Sequence, residues 1–337
     1  MTLSRTSLYP TALSIPNHSE NALTLPSHGN VSRKLPDILI RQAPATCGEL
    51  MQGAIDGRDF LVNCPIDLYA QATLLPTGSS GLVVRDATRY TKVAHAIALL
   101  DACAEQQTPR DVVMERSAAG RELVVTSRIP RGKGMASSSA DLAAALSVAC
   151  ELRGLNLSAV ELSRLIARVE PSDSVHLPGI GHVNHLNGVV HACLPAPEDL
   201  SVIVLDCGGE VDTLAFDREK ARSVYHQAQA RVTATLALMC NSLRLGDPVG
   251  IALAATISAR LSQQILPKAP FDELLDSCTR DGALGVNCAH SGTVLGVLYR
   301  TSDDLGDALI DSIRRRFGSD LTLIGNHRIV SGGCHAR

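Results

Sequence analysis

The sequence contains no tryptophan and few other aromatic residues, with four phenylalanines and five tyrosines among 337 residues. Proteins that bind single-stranded nucleic acid stack bases on aromatic side chains, so this composition argues against that class. Net charge is also small, because 31 Lys and Arg residues stand against 34 Asp and Glu residues, giving −3. Such a chain has no global field to attract nucleic acid or anionic lipid, so any phosphate binding must be local. We predict no nucleic-acid partner.

Long apolar runs and paired cysteine motifs are missing as well. No apolar run approaches the ~18 residues of a membrane span, and the N-terminus lacks the apolar segment of a signal peptide. None of the ten cysteines belongs to a C-x-x-C pair, and several fall inside apolar helical patterns. This pattern predicts reduced thiols in a packed core. We therefore expect a cytoplasmic protein with no membrane partner.

What is present suits a globular protein, since 45% of the residues are hydrophobic and the length allows two domains. Residues 1–36 are rich in Ser, Thr, Pro, Asn and His, and we interpret them as a flexible tail outside the fold. Alternating apolar runs at 38–53 and 60–75 predict a hairpin with Asp56-Gly57 as its turn. The order strand, turn, strand, helix, strand over 284–330 predicts a ferredoxin-like unit. Helices are predicted at 91–106, 140–152, 158–169, 217–243, 248–266, 271–281 and 302–317.

The stretch 130–139, PRGKGMASSS, carries the clearest functional signal. A predicted strand precedes it and a segment of strong helix formers follows it. Its small residues let backbone N–H groups approach one point, and the positive end of the helix dipole faces the same loop. Lys133 adds a full positive charge. The pattern predicts a polyphosphate site; the alternative is a helix capped through a Ser138 to Asp141 capping box.

Two common phosphate loops do not fit this stretch. A Walker A loop needs Ser or Thr after Gly-Lys, where Gly134 stands, and a Rossmann turn needs Gly where Ser137 stands. The stretch instead resembles the second motif of the GHMP kinase superfamily, Pro-x3-Gly-Leu-Gly-Ser-Ser-Ala. Pro130, Gly134, Met135, Ala136, Ser137, Ser138 and Ala140 occupy its places, with Met for Leu, Ala for the second Gly and one additional Ser.

Three further segments resemble motifs of the same kinases. Residues 44–53 resemble the first motif, which lies over the nucleotide and faces the acceptor, and residues 287–292 resemble the third, which packs against the phosphate loop. Residues 170–174, EPSDS, follow a predicted helix. The three segments and the glycine loop together resemble the L-threonine kinases of this superfamily. The resemblance covers the chain from about Arg41 to the C-terminus.

The resemblance implies an α+β, two-domain GHMP kinase fold. Its N-terminal domain, ribosomal S5 domain 2-like, would be residues 37–195, and its ferredoxin-like C-terminal domain residues 196–337. It further implies transfer of phosphate from ATP, with Mg²⁺, to the hydroxyl of L-threonine, giving O-phospho-L-threonine for the aminopropanol linker of cobalamin. Two alternatives stay open: another small-molecule kinase of homoserine type, and a nucleotide-binding protein without catalysis.

The resemblance also implies roles for individual residues. Ser138 and Glu170 would hold Mg²⁺ through hard oxygen ligands, Asp173 would orient or deprotonate the acceptor hydroxyl, and Lys133 would assist catalysis. The other interpretations are a solvated turn for the two acids and a solvated loop lysine for Lys133. We interpret Asp141 as a capping residue, with a magnesium contact as the alternative. The ATP-binding residues would be Pro130, Arg131, Gly132, Lys133, Gly134, Met135, Ala136, Ser137, Ser138 and Ser139.

An amino-acid substrate also needs a carboxylate to bind its ammonium group, and we predict Glu49 or Asp67 for that role. His290 and Ser291, in the third motif, are the other predicted substrate-binding residues. Four histidines, His176, His182, His185 and His191, have a spacing that fits no standard zinc pattern. We expect them in a mobile loop near the substrate.

Overall fold

A computed structural model describes residues 37–78, 80–105, 120–209 and 217–336. The predicted tail, 1–36, lies outside the described residues. The first two strands, β1 (Leu39–Ile55) and β2 (Arg58–Pro76), form the predicted hairpin. Asp56 and Gly57 between them have φ of 50° and 73°, as a two-residue type I′ turn requires.

The remaining elements follow the predicted order with four differences. The helix predicted over 217–243 is two helices, separated at Ala228, and the strands β3, β5 and β11 were not predicted. Among the described helices, none combines the length and apolar character that a membrane crossing requires. The elements are β3 (Leu82–Val84), α1 (Thr91–Glu105), β4 (Arg121–Ser127), α2 (Ser137–Arg153), α3 (Ala159–Ala167), β5 (Ile180–Asn184), β6 (Val189–Leu194), β7 (Ser201–Asp206), α4 (Arg218–Gln227), α5 (Gln229–Leu245), α6 (Pro248–Ser262), α7 (Phe271–Arg280), β8 (Gly285–Cys288), β9 (Val294–Tyr299), a 3-10 turn (Thr301–Asp303), α8 (Gly306–Phe317), β10 (Thr322–Arg328) and β11 (His335–Ala336).

The main sheet runs β10-β7-β9-β8-β1-β2-β4-β3. Its first four strands, numbered by chain position, have the order 4-1-3-2 with antiparallel pairs, which is the ferredoxin-like arrangement. The predicted α+β fold is therefore confirmed. Strand β1 joins β8 through the pair Glu49 and Cys288, so both halves of the chain contribute to one sheet. The division into domains at 195/196 stays a prediction.

Helix α2 is buried on nearly all sides, from Ser139 to Leu146 without interruption. A helix surrounded by protein needs apolar residues all round, and here alanines also allow a close approach to β1 and β2. The helix axis is therefore fixed by the core, and its N-terminus is fixed with it at the end of the glycine loop.

Three glycines bring three backbones into direct contact around that loop. A Cβ on Gly134 would lie 2.4 Å from the Cβ of Ala289, and one on Gly292 would lie 2.5 Å from the Cα of Gly134. A Cβ on Gly48, in β1, would lie 2.5 Å from the backbone nitrogen of Ala289. The third motif thus packs directly against the glycine loop, as its resemblance implies.

Backbone hydrogen bonds join the same three segments. Each of three consecutive loop carbonyls accepts a bond from outside the loop: Thr46 N to Met135 O (3.1 Å), Gly48 N to Gly134 O (3.1 Å) and Thr293 N to Lys133 O (3.0 Å). The loop conformation therefore depends on residues that are distant in sequence.

Substituting Gly134 by alanine tests this close contact, with Gly57 as the matched control. Both have positive φ (79° and 73°), but a Cβ on Gly57 would meet nothing within 4 Å. We expect Gly57→Ala to cost about 1 kcal/mol of unfolding free energy through backbone strain alone. We expect Gly134→Ala to cost about 2–4 kcal/mol because steric overlap is added. Denaturant unfolding measures both, and equal losses would contradict the contact.

Candidate active site

A cleft of about 410 Å³ opens where the glycine loop, the start of α2 and residues 170–173 meet. It brings together most of the predicted site residues, although these are distant in sequence. The predicted residues that line it are Glu49, Arg131, Gly132, Gly134, Met135, Ala136, Ser137, Ser138, Ser139, Glu170, Asp173 and Ser291.

The start of α2 has no side-chain cap. Ala136 is the N-cap, in the left-handed region with φ of 56° and ψ of 28°, and the helix begins at Ser137. The predicted capping box from Ser138 to Asp141 is therefore wrong, because Ser138 already lies inside the first turn. The N–H groups of that turn have no intrahelical partner and remain available to an anion.

The loop before the helix contributes further donors. Its carbonyls at 133–135 are bonded to β1 and to the third motif. In a trans peptide the N–H points opposite to the C=O of the same plane, so the N–H groups of 134–136 point away from those segments. Gly134, Met135 and Ala136 line the cleft. Loop and helix start together form a cradle for an anion.

Glu170 is placed as a metal ligand would be. Its side chain is 14% exposed, with Oε2 in an ion pair with Lys92, and its buried Oε1 has no hydrogen-bond partner among the described residues. Those residues contain no group of three or more His, Cys, Asp or Glu that could hold a metal by itself. Mg²⁺ in kinases takes only one or two carboxylates and completes its shell with water and phosphate oxygens, so Glu170 and Ser138 fit this ion.

Asp141 also faces the cleft and does not cap the helix. Its Oδ2 accepts a bond from Arg131 at 3.1 Å, and its buried Oδ1 has no partner among the described residues. Burial raises the pKa of Asp141 to about 6, although the charges of Arg131 and Arg89 act to lower it. A second incompletely bonded carboxylate therefore stands near Glu170.

The backbone of Asp173 is held from two sides. Asn63 Nδ2, in β2, donates to the carbonyl oxygen of Asp173 at 2.9 Å, and Asp173 N donates to Ser139 Oγ at 3.4 Å. Asn63 is fully buried and also accepts from Gly181 N at 2.8 Å. Asn63 was not predicted, although an amide within an apolar strand is a detectable signal because it needs buried partners.

The charge state of Asp173 is set by its neighbours. Burial raises its pKa to about 8, with further contributions from the negative charges of Glu49 and Glu170. An acid with this pKa is largely neutral at pH 7 in the free protein. A cation bound nearby would favour its ionised form.

Glu49 lines the opposite part of the cleft, at an irregularity of β1 where the register shifts on both sides of it. Such bulges re-aim a side chain. Oε2 accepts from both the backbone N and Nδ1 of His290, each at 2.9 Å. Burial by itself would raise the pKa of Glu49, but the bonds and charge of His290 outweigh it and the pKa is lowered.

Three cleft residues beside Glu49 were not predicted, namely Asp59, Arg218 and Tyr225. His185, which was expected near the substrate, lines the same part of the cleft. Burial lowers the pKa of His185, and its Nδ1 is buried without a partner among the described residues. The hydroxyl of Tyr225, a residue only 2% exposed, is likewise unpartnered there. This end of the cleft has several polar groups that a ligand could satisfy.

The structure does not bring four predicted residues to the cleft lining. Lys133 Nζ lies 2.9 Å from Asp206 Oδ2 and also bonds to Gly209 O, so it joins the loop to the end of β7. Asp67 accepts from His327 Nδ1 (2.9 Å) and Arg328 N (3.2 Å). Pro130 precedes the glycine loop and does not line the cleft. His290 is buried and reaches the cleft only through its contact with Glu49.

The expected mobile histidine loop is wrong in part, because His182 lies in strand β5. There it pairs with Val62 in the sheet, and its ring centroid lies 4.8 Å from that of His191. His176 is buried with Nε2 at 3.2 Å from Ala159 O. Only His185 lines the cleft.

Comparison with known proteins agrees with this geometry. Residues 93–179 match the GHMP kinases N terminal domain. L-threonine kinase of Salmonella typhimurium is 30% identical over 262 residues, which cover 78% of this chain and 83% of that protein. L-threonine kinase of Citrobacter freundii is 31% identical over 260 residues, covering 77% and 85%.

Solved structures show the same fold at lower identity. Homoserine kinase from Cytophaga hutchinsonii has a TM-score of 0.66 at 17% identity, covering 92% of this chain and all of that one. Mevalonate kinase from Methanococcus jannaschii has a TM-score of 0.64 at 14% identity, covering 87% and 98%. These structures share the fold, and the family match with the two L-threonine kinases supports a phosphotransferase. The chain belongs to the GHMP kinase family.

The raised pKa of Asp173 predicts a stability difference that depends on pH. Between the unfolded value near ~4 and about 8, the unfolded chain ionises this acid and the folded protein does not, so folding stability falls as pH rises through this window. Asp173→Asn removes that loss. We expect its melting temperature to approach wild type at pH 4 and to exceed it by a few degrees at pH 8.

The exposed Asp303 supplies the control, and Asp303→Asn is expected to follow wild type at each pH in the same calorimetric series. If the melting temperatures of Asp173→Asn and wild type differ by the same amount at every pH between 4 and 8, the burial and charge argument for Asp173 is wrong.

Proposed function

We propose that this protein transfers the γ-phosphoryl group of ATP to the hydroxyl of L-threonine. One observation carries the proposal: the uncapped cradle at 134–139, the unpartnered oxygen of Glu170 and the carboxyl of Asp173 face one cleft. A binding protein needs the cradle alone, whereas phosphoryl transfer also needs a metal ligand and a group for the acceptor. The two curated L-threonine kinases, at 30% and 31% identity, support the choice of substrate.

The ATP phosphates would lie in the cradle formed by residues 131–139. Ser138 and Glu170 would hold Mg²⁺, which when bound neutralises charge on the phosphate oxygens. Lys92, paired with Glu170, and Arg131, paired with Asp141, place two further cations at the cleft. Lys133 is bonded to Asp206 and Gly209 O at the end of β7, and its catalytic role stays a proposal.

Asp173 would orient the acceptor hydroxyl and accept its proton. A pKa near the working pH is the most effective for such a group, and burial brings this carboxyl to about 8. The bonds from Asn63 and to Ser139 fix its backbone, so the carboxyl stays at a defined distance from the cradle.

The acceptor would lie between Glu49 and Arg218. Asp67 is outside the cleft, which favours Glu49 as the partner of the substrate ammonium group. Arg218 makes no ion pair with a described residue, and its helix neighbours Ala221 and Tyr225 line the same cleft. Arg218 is therefore our candidate for the substrate carboxylate. The product, O-phospho-L-threonine, would serve the cobalamin linker, as the family resemblance implies.

ADP release from Mg-ATP with L-threonine, and mass spectrometry of the product, test the proposal. We expect release with L-threonine and a lower kcat/KM with L-homoserine and L-serine. Release with L-homoserine but not L-threonine indicates a homoserine-type kinase. No release with any hydroxyl compound, while ATP still binds, indicates a nucleotide-binding protein and rejects the proposal.

Two variants separate the roles of the acids. Asp173→Asn is expected to lower kcat by about 10²- to 10⁴-fold while leaving the Kd for Mg-ATP within about threefold, because it acts on the hydroxyl. Glu170→Gln is expected to weaken Mg-ATP binding as well, because it removes a metal ligand. Titration calorimetry with a non-hydrolysable ATP analogue provides the Kd, and the reverse pattern would exchange the two assignments.

A further inference from the structure

A buried chain of three side chains extends from Glu49 into the protein, and two of its members, His290 and Ser258, do not line the cleft. Glu49 Oε2 lies 2.9 Å from His290 Nδ1, and His290 Nε2 lies 3.2 Å from Ser258 Oγ. The three residues are 5%, 1% and 3% exposed. They come from β1, the third motif and α6, so three distant segments meet in one hydrogen-bonded chain.

The geometry resembles a Ser-His-acid catalytic triad, but the surroundings of Ser258 are not those of a nucleophile. Its Oγ accepts from Gln52 N at 3.2 Å and lies 3.5 Å from Gln52 O. It is buried and does not line the cleft. The open end of the chain is Glu49, which does line the cleft.

Glu49 is fixed on more than one side. Oε2 accepts from the side chain and from the backbone N–H of His290. Both side-chain hydrogen bonds of Glu49 to described residues therefore use the same oxygen. The carbonyl of Glu49 also accepts from Asn287 Nδ2 at 3.2 Å. These bonds stabilise an ionised carboxylate in one orientation and leave Oε1 for a ligand.

The loop that holds His290 is itself fixed by a buried hydrogen bond and by close packing. Lys268, only 7% exposed, donates from Nζ to Ala289 O at 2.7 Å. Gly48 and Gly134 leave no room for movement of Ala289. His290 is therefore held by its chain neighbours as well as by its ring contacts.

We propose that His290 and Ser258 are positioning residues that aim Glu49 at the α-ammonium group of the substrate, so that the cleft selects amino-bearing hydroxyl compounds over simple hydroxy acids. This inference rests on the proposed function. An oriented, desolvated carboxylate binds an ammonium group more strongly than a solvated one, because its position and hydrogen bonds are set before binding.

The test compares L-threonine with (R)-3-hydroxybutyrate, which keeps the hydroxyl, methyl and carboxylate but lacks the amine. We expect His290→Leu to raise KM for L-threonine by about 10- to 100-fold with kcat within about threefold. With (R)-3-hydroxybutyrate we expect kcat/KM to stay within about threefold of wild type. If His290 had a merely structural role, the substitution would lower kcat/KM equally for both substrates and would also raise KM for ATP.

Two milder variants keep the test valid if His290→Leu does not fold. His290→Asn places an amide near the Nδ1 position and retains a donor to Glu49, so it should recover most of the lost L-threonine affinity. Ser258→Ala keeps the histidine and should raise KM for L-threonine only about threefold. The control is Thr301→Ala, which is remote from the cleft and should leave KM unchanged.

The outcomes separate this inference from the proposed function. If wild type phosphorylates L-threonine and all three variants keep the wild-type KM, the positioning role is wrong and the kinase assignment stands. If wild type phosphorylates no amino acid, the proposed function fails first. If (R)-3-hydroxybutyrate is as good a substrate as L-threonine for wild type, the ammonium selection is rejected.

Discussion

The contact of three backbones at Gly48, Gly134 and Gly292 is the constraint on which the site depends. Any side chain larger than hydrogen at Gly134 would overlap Ala289. Because the segments approach this closely, the carbonyls of 133–135 can bond to β1 and to the third motif. The same bonds orient the opposite sides of those peptides toward the cleft. The close packing at these glycines thus determines that the N–H groups of the loop point into the cleft, where they can bind an anion.

Electrostatics divide the cleft into two parts. Near the cradle, Lys92 and Arg131 each pair with an acid, Glu170 and Asp141, and each acid keeps one buried oxygen without a partner among the described residues. Buried carboxylates are costly unless fully bonded, so these oxygens are suited to a ligand that brings positive charge. At the other end, Glu49 is fixed by His290 and held ionised.

Asp173 stands between these two parts and is affected by both. Its pKa is raised by burial and then by Glu49 and Glu170, so its proton is sensitive to whatever binds to either acid. An ammonium group at Glu49 or a cation at Glu170 would each favour ionisation of Asp173. On the proposed function, substrate binding and activation of the hydroxyl would therefore be linked through charge.

Local sequence determined a good part of this protein. The hairpin turn at Asp56-Gly57 and the ferredoxin-like order follow from turn chemistry and apolar periodicity. The glycine loop was found because its small residues suit phosphate binding, and the acids at 170 and 173 were assigned through the family resemblance. Apart from the ferredoxin-like order, these signals are local in the sequence.

Tertiary structure decided what lies opposite those residues. Nothing near Lys133 in sequence indicates that Asp206 would pair with it, and nothing near Glu49 indicates His290. Strand β5 was missed because His182 is polar, yet its ring is buried against Phe60 and His191. Hydrogen bonds and ion pairs between segments distant in sequence depend on how the sheet forms, and local sequence patterns do not specify which segments meet.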